Sequence, residues 1–143
     1  MSQFVSAIPM ENNMDAIAIR LKPEEDLKQA LLKYCIDRKI DAAYMLSCVG
    51  SLHQSSIRFA NQPEATVFEQ PLEIVSLEGT LSQHGVHLHI AVSDSEGQVI
   101  GGHLMDGSHI RTTAEIVLGI VSNAVFKREM DPLTGYRELT ITS

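Results

Sequence analysis

Apolar residues recur along this chain with two periods, and the switch between them marks its elements. From Asp15 to Leu21 the period is two, with Ile17 and Ile19 on one face, which predicts a strand. The next apolar positions, Leu27, Ala30, Leu31, Tyr34 and Cys35, form a single stripe on a helix. Lys22-Pro23-Glu24-Glu25-Asp26 reads as the start of that helix. Proline suits the first turn, and three acids favour the positive end of the helix dipole. Arg38 and Lys39 suit the opposite end, so the helix is expected near residues 24–38.

Beyond the helix, period two returns. Ala42–Val49 predicts a strand interrupted or bulged at Gly50-Ser51, and Ser55–Phe59 predicts another. Asn61-Gln62-Pro63-Glu64 reads as a turn and Thr66–Glu69 as a short strand. Leu72–Leu81 alternates, with Gly79 placed for a bulge. Val86–Ser93 and Gln98–Leu104 read as a hairpin around the turn Asp94-Ser95-Glu96-Gly97. Thr112–Val121 is apolar and β-branched except at Glu115; period alone allows strand or helix, and strand is favoured. Phe126–Met130 and Tyr136–Thr142 flank a turn at residues 131–135. One helix among many strands predicts an α+β fold, a mostly antiparallel mixed β-sheet with one main helix packed on it. A chain of 143 residues without repeat or linker is expected to form a single domain, 1–143, with residues 1–13 as an N-terminal arm.

Composition sets limits on this picture. An apolar content of 44% supports a real core without staples, and the absence of Trp leaves that core to aliphatic side chains and four Phe. Eighteen acidic against eleven basic residues give a net charge of −7. That balance opposes strong free-standing DNA binding, because phosphate neutralisation supplies most non-specific affinity. Lys127-Arg128 and Arg38-Lys39 are the only adjacent basic pairs, a weak signal for a nucleic-acid patch. Cys35 and Cys48 lie in apolar stretches and read as buried free thiols in a reducing compartment. No apolar run approaches the roughly 18 residues of a membrane span. Met1–Asn13 has neither the basic nor the apolar region of a signal peptide, so a soluble, cytoplasmic protein is expected.

The candidate chemistry lies in the histidines. His87 and His89 are two apart, so on a strand they share a face, while Leu88, Ile90 and Val92 take the other. The hairpin partner brings His103 alongside. Three imidazoles on one sheet face suit zinc or another divalent transition metal, with a fourth position left open. The bland alternative is that they line a polar surface or a subunit contact. Glu115 interrupts an apolar run and is a candidate to hydrogen-bond a ligating imidazole; exposure at a strand edge is the alternative. Asp94 flanks the histidine strands and also suits a turn. Gly101 and Gly102 lack the strand-to-helix setting of a phosphate loop and point to a close backbone approach. Cupins share a Gly-x-His-x-His strand but want a Glu four residues after the second His, and Ser93 stands there.

The segment Gly85-Val86-His87-Leu88-His89-Ile90-Ala91-Val92-Ser93-Asp94, then Gly97, Val99-Ile100-Gly101-Gly102-His103-Leu104 and Thr112-Thr113-Ala114-Glu115-Ile116-Val117, resembles the plant-and-prokaryote-conserved (PPC) domain. Leu72-Glu73-Ile74-Val75-Ser76-Leu77-Glu78-Gly79 and Ser47-Cys48-Val49-Gly50-Ser51-Leu52 fit the same pattern, and the likeness covers about residues 14–142. The resemblance implies a sheet-rich α/β fold assembling as a homotrimer, with self-association and recruitment of a protein partner. In plants the domain follows AT-hook segments that bind A·T-rich DNA, hence a DNA or transcription association. This chain has no Arg-Gly-Arg-Pro segment, and the hook reads the minor groove through such arginines.

Three functions follow as expectations. One is a trimeric binding module with a histidine metal site, binding DNA weakly if at all. The second is a metal-dependent enzyme on a small molecule. The third is a structural metal fixing a subunit contact. A closed coordination sphere favours the third, and an open position beside a pocket favours the second. Metal binding needs neutral imidazoles and is expected to weaken below about pH 6.5.

Overall fold

The long apolar alternations of the chain become strands longer than their sequence patterns suggest. The computed structural model describes residues 15–143; the expected N-terminal arm lies outside the described residues. Strand β1 (Asp15–Leu21) leads to helix α1 (Leu27–Asp37). Then come β2 (Ala43–Arg58), β3 (Thr66–Ser82), β4 (Gly85–Ser93), β5 (Val99–Leu104) and β6 (His109–Ile120). A last hairpin joins β7 (Val125–Met130) to β8 (Arg137–Thr142). The first six strands form one antiparallel sheet in the order β1-β6-β2-β3-β4-β5. The far end of β2 also pairs with β5, Ile57 with Leu104 and Arg58 with His103, so β2 to β5 close on themselves. The hairpin β7–β8 is a separate two-stranded sheet beside β3. This is the mostly antiparallel sheet with one helix that the alternation predicted.

The helix packs against β3 and β4, and its stripe drives that packing. Leu27, Leu31 and Cys35 are fully buried among Leu52, Leu77, Leu88, Ile90, Ile116 and other sheet residues of one core. Each buried leucine contributes roughly 1.5–3 kcal/mol of transfer free energy. No helix among the described residues is long and apolar enough to cross a membrane.

The helix begins later than its sequence suggests. Pro23 and the acids do not form a first turn: Glu24 has a left-handed φ of 74°. Its N–H bonds the Ile110 carbonyl at 2.9 Å, and the Ile110 N–H bonds the Glu25 carbonyl at 3.0 Å. The entry to β6 thus takes the backbone groups that a helix would need. Asp26 is the N-cap, one carboxylate oxygen accepting from the Gln29 N–H at 3.0 Å and the other from the Gly107 N–H at 2.6 Å. At the other end Lys39 takes a left-handed φ of 52°, and the Ile40 N–H returns to the Cys35 carbonyl at 2.9 Å.

Two expected interruptions are absorbed within strands. Gly50 does not end β2, but the register with β6 shifts between Gly50 and Leu52, where the sequence allows a bulge. Gly50 pairs with Ile74 on one side and Ala114 on the other, and a Cβ there would run into the Thr113 carbonyl. Nor does Pro71 divide β3. Leu52 faces Leu72 while Gln54 faces Glu69, so Gln70 and Pro71 together oppose the single residue His53. Proline, lacking an N–H, is tolerated at such a bulge. In β6 the strand starts at His109, earlier than Thr112, because Ile110 and His109 pair with β2.

Leu31 has no solvent exposure. Leu31→Ala is expected to destabilise the protein by roughly 2–5 kcal/mol in urea denaturation. A change near zero would place the helix stripe in solvent.

Candidate metal centre

Core packing decides where the histidines point. Leu88, Ile90 and Val92 of β4 are buried, so His87 and His89 project from the opposite face. His103 of β5 stands directly across from His89 in the ladder. Ring centroids are separated by 4.9 Å for His87–His103, 5.2 Å for His87–His89 and 5.6 Å for His89–His103. One nitrogen from each ring can be chosen so that all lie within 4.8 Å of one another. The hairpin turn fixes this register. The Asp94 carboxylate accepts from the N–H groups of Glu96 and Gln98 at 2.9 Å each, and Gly97 supplies a φ of 80°.

Strand β5 lies unusually close to its neighbours. A Cβ on Gly101 would sit 2.6 Å from the Ile90 carbonyl oxygen, and one on Gly102 would sit 2.7 Å from that of Arg58. The glycine pair therefore brings His103 between β4 and the end of β2. Asp94 is occupied in its turn, and Glu115 is exposed on β6, across from Arg20 and Val49. Neither acid lines the histidine pocket. His109 sits elsewhere, its Nε2 3.9 Å from the Asp26 carboxylate.

Burial shapes the electrostatics. It is the main cause that pushes His103 down to about 4, with the neighbouring charges of His87 and Arg58 adding to it. His87 is lowered by burial first, then by Arg128 and His89. Both imidazoles are therefore neutral at pH 7, as metal coordination requires. The two cysteines play no such part. Burial raises Cys35 to about 11 and Cys48 to about 12, so both remain inert thiols.

Around the trio opens a pocket of about 830 Å³. Its walls include Arg58, Phe59, Arg128, Tyr136, Arg137 and Glu138. None of these was singled out by sequence as part of a site. Arg128 was visible only as half of a basic pair. The alternation of β7 does place it with Phe126 on the less exposed face, opposite Lys127, which is a usable signal. What it meets could not be read locally. Its Nη2 donates to Thr80 Oγ1 at 2.7 Å, and its Nη1 lies 3.5 Å from His87 Nδ1. The hairpin is anchored there by Ser82 Oγ donating to the Phe126 carbonyl at 2.6 Å and by the Phe126 N–H donating to the Asp41 carbonyl at 2.8 Å.

The Arg128 contact bears on whether the trio fits a metal. A guanidinium only donates, so its approach favours the His87 tautomer with the proton on Nε2. A metal on Nδ1 takes the position Arg128 faces. A metal on Nε2 moves the ring proton to Nδ1, against the guanidinium. Either way that long contact is lost and Arg128 Nη1 is released. Its remaining bond to Thr80 is unaffected, so the three imidazoles fit a divalent transition metal at the cost of one weak contact.

Comparisons with known proteins agree with this architecture. A model of the Plants and Prokaryotes Conserved (PCC) domain matches residues 9–122. The bifunctional protein GlmU of Synechococcus sp. (strain JA-3-3Ab) is 47% identical over 123 residues, 86% of this chain and 20% of that protein. The chain thus spans about a fifth of the length of the curated relatives it matches. A hypothetical protein of Salmonella cholerae-suis (Salmonella enterica) has a solved structure with a TM-score of 0.89 at 36% identity, covering 94% of this chain and 99% of that one. A metal-containing protein of Archaeoglobus fulgidus shares the fold with a TM-score of 0.78 at 24% identity, again covering 94% and 99%.

The lowered histidines make a pH prediction. Between about pH 6.5, where an unfolded histidine takes up a proton, and about pH 4, where His103 does, the unfolded chain binds more protons than the folded one. Metal-free protein should therefore lose stability as pH falls through that window. Urea midpoints at pH 7 and pH 5 measure the loss, and His103→Asn should reduce it. An identical loss in the variant would assign the effect to other groups.

Proposed function

Because the chain belongs to the Plants and Prokaryotes Conserved domain family, we propose that it is a homotrimeric binding module holding zinc or another divalent transition metal on His87, His89 and His103. The observation that carries this reading is the convergence of the three imidazoles at the wall of a pocket of about 830 Å³. A metal-containing protein of the same fold in Archaeoglobus fulgidus supports it. Zinc is preferred among the candidates because it accepts three nitrogen ligands and leaves a fourth position exchangeable. When bound, it supplies Lewis acidity at that position.

The pocket beside the trio also favours a second reading, a metal-dependent enzyme acting on a small molecule. A purely structural ion would be expected in a closed coordination sphere, and this face is open. Trimer formation is supported by the family resemblance and by exposed apolar residues on the sheet. Val49 is 65% and Val75 55% exposed, and the register sets them side by side across β2 and β3. The charge of −7 and the missing Arg-Gly-Arg-Pro segment argue for weak DNA binding without sequence preference. Two inert thiols suit a reducing, cytoplasmic setting.

Untagged protein exchanged into zinc buffer should retain stoichiometric metal by elemental analysis. The double variant His87→Ala with His89→Ala should lose it, while His109→Ala should keep it. Full retention in the double variant would remove the trio as the site. Light scattering at micromolar concentration should give the mass of three chains; a monomer there would sink the assembly. Nanomolar, sequence-specific binding in a salt-controlled DNA titration would overturn the DNA reading.

A further inference from the structure

The pocket's charge runs against that of the protein. The chain carries −7 overall, yet Arg58, Arg128 and Arg137 line this one cavity, with Glu138 as the sole acid among the lining residues. Among the described residues, no carboxylate lies within 4.0 Å of any of these guanidinium groups. The ion pairs present involve Lys33–Asp37, His53–Glu24, His84–Asp41 and His109–Asp26 instead. Glu138 is engaged by Thr134 Oγ1, which donates to it at 2.9 Å. The bonds made by Arg58 and Arg137 are long ones to backbone carbonyls, 3.4 Å to Gln62 and 3.5 Å to Arg128.

The two better-placed cations bracket the histidines. Arg58 stands across from His103 in the β2–β5 pair, and Arg128 reaches His87 from the hairpin. Arg128 is partly withdrawn from water on the less exposed face of β7. Glu138 is the acid whose charge acts on it, but from beyond ion-pair distance, so among the described residues no carboxylate occupies its fork of donors, which matches an oxyanion. A metal would add positive charge between the two and would release Arg128 Nη1 from His87, as derived above. Three positive centres would then face one cavity.

We propose that this pocket takes a small molecule through an oxyanion group, a carboxylate or a phosphate, gripped by Arg58 and Arg128 beside the metal position. The proposal deepens the metal reading and rests on it for the central contact; the arginine grip is also present in metal-free protein. Tyr136 and Phe59 on the same walls offer apolar and ring surface to the rest of such a ligand.

Calorimetric titration of metal-loaded and metal-free protein with inorganic phosphate, with malonate and with glycerol, at about 0.15 M salt, tests this. At least one anion should bind, more tightly with metal loaded, and glycerol should not. Which anion binds tells phosphate from carboxylate. Arg128→Met should weaken anion binding by about ten-fold or more, the loss expected for a charge-assisted hydrogen bond. The same variant should take up metal at least as well as wild type, because the competing donor at His87 is gone. Arg58→Met should weaken the anion in the same direction, and circular dichroism checks both folds. If loaded protein keeps its metal but binds neither anion, this proposal falls and the metal reading stands. If no metal is retained but an arginine-dependent anion is bound, the metal reading falls and this one stands. Unchanged anion affinity in both arginine variants, or weaker metal uptake in Arg128→Met, overturns it.

Discussion

Everything at the candidate centre depends on the burial of Leu88, Ile90 and Val92. These side chains are held in the core by the helix and the sheet, and a strand has only two faces. Their burial therefore forces His87 and His89 outward together. A one-residue slip of β4 would exchange the two sets, burying two imidazoles and exposing three aliphatic side chains. The hydrophobic effect thus fixes the orientation of the polar groups without any contact to them.

The second constraint is spacing. Three strands must bring His103, His89 and Arg58 near one another, and ordinary side chains on β5 would hold the strands apart. Gly101 and Gly102 remove that obstacle, since a Cβ on them would come within 2.6 Å and 2.7 Å of a neighbouring backbone oxygen. The bulges at Leu46 of β2, opposite β6, and at Gln70-Pro71 of β3 serve the same end. They bend long strands so that the end of β2 meets β5 and closes the ring of strands beneath the pocket.

How much of this was legible in the sequence follows from which signals are local. Alternation over Val86–Ser93 placed two histidines on one face, and a four-residue turn returned the third. Both are short-range facts, and the structure brings the three rings together as that reading expected. The α1 stripe was legible for the same reason. Its starting residue was not, because the backbone of Glu24 and Glu25 is claimed by Ile110, far along the chain. Asp94 stands out as an acid flanking the histidine strands and Glu115 as the acid that interrupts an apolar run, but neither side chain reaches the pocket. The relation of Arg58, Arg128 and Tyr136 to the trio is not legible, because it arises from strand closure and from the docking of a hairpin. Neither leaves a mark in the pattern around those residues beyond the alternation of β7.

Among the described residues, the hairpin β7–β8 shares no ladder pairing with the six-stranded sheet. The histidines stand on one of these sheets, and Arg128, Tyr136, Arg137 and Glu138 belong to the hairpin or the turn beside it. The histidine face and the hairpin side of the wall are therefore separately encoded, while Arg58 and Phe59 supply another part of the wall from the end of β2. Substitution, lengthening or exchange of residues 125–142 reshapes the wall without shifting the register that aligns the imidazoles. A fold built this way can vary one side of the pocket while the face that carries the three histidines stays unaltered.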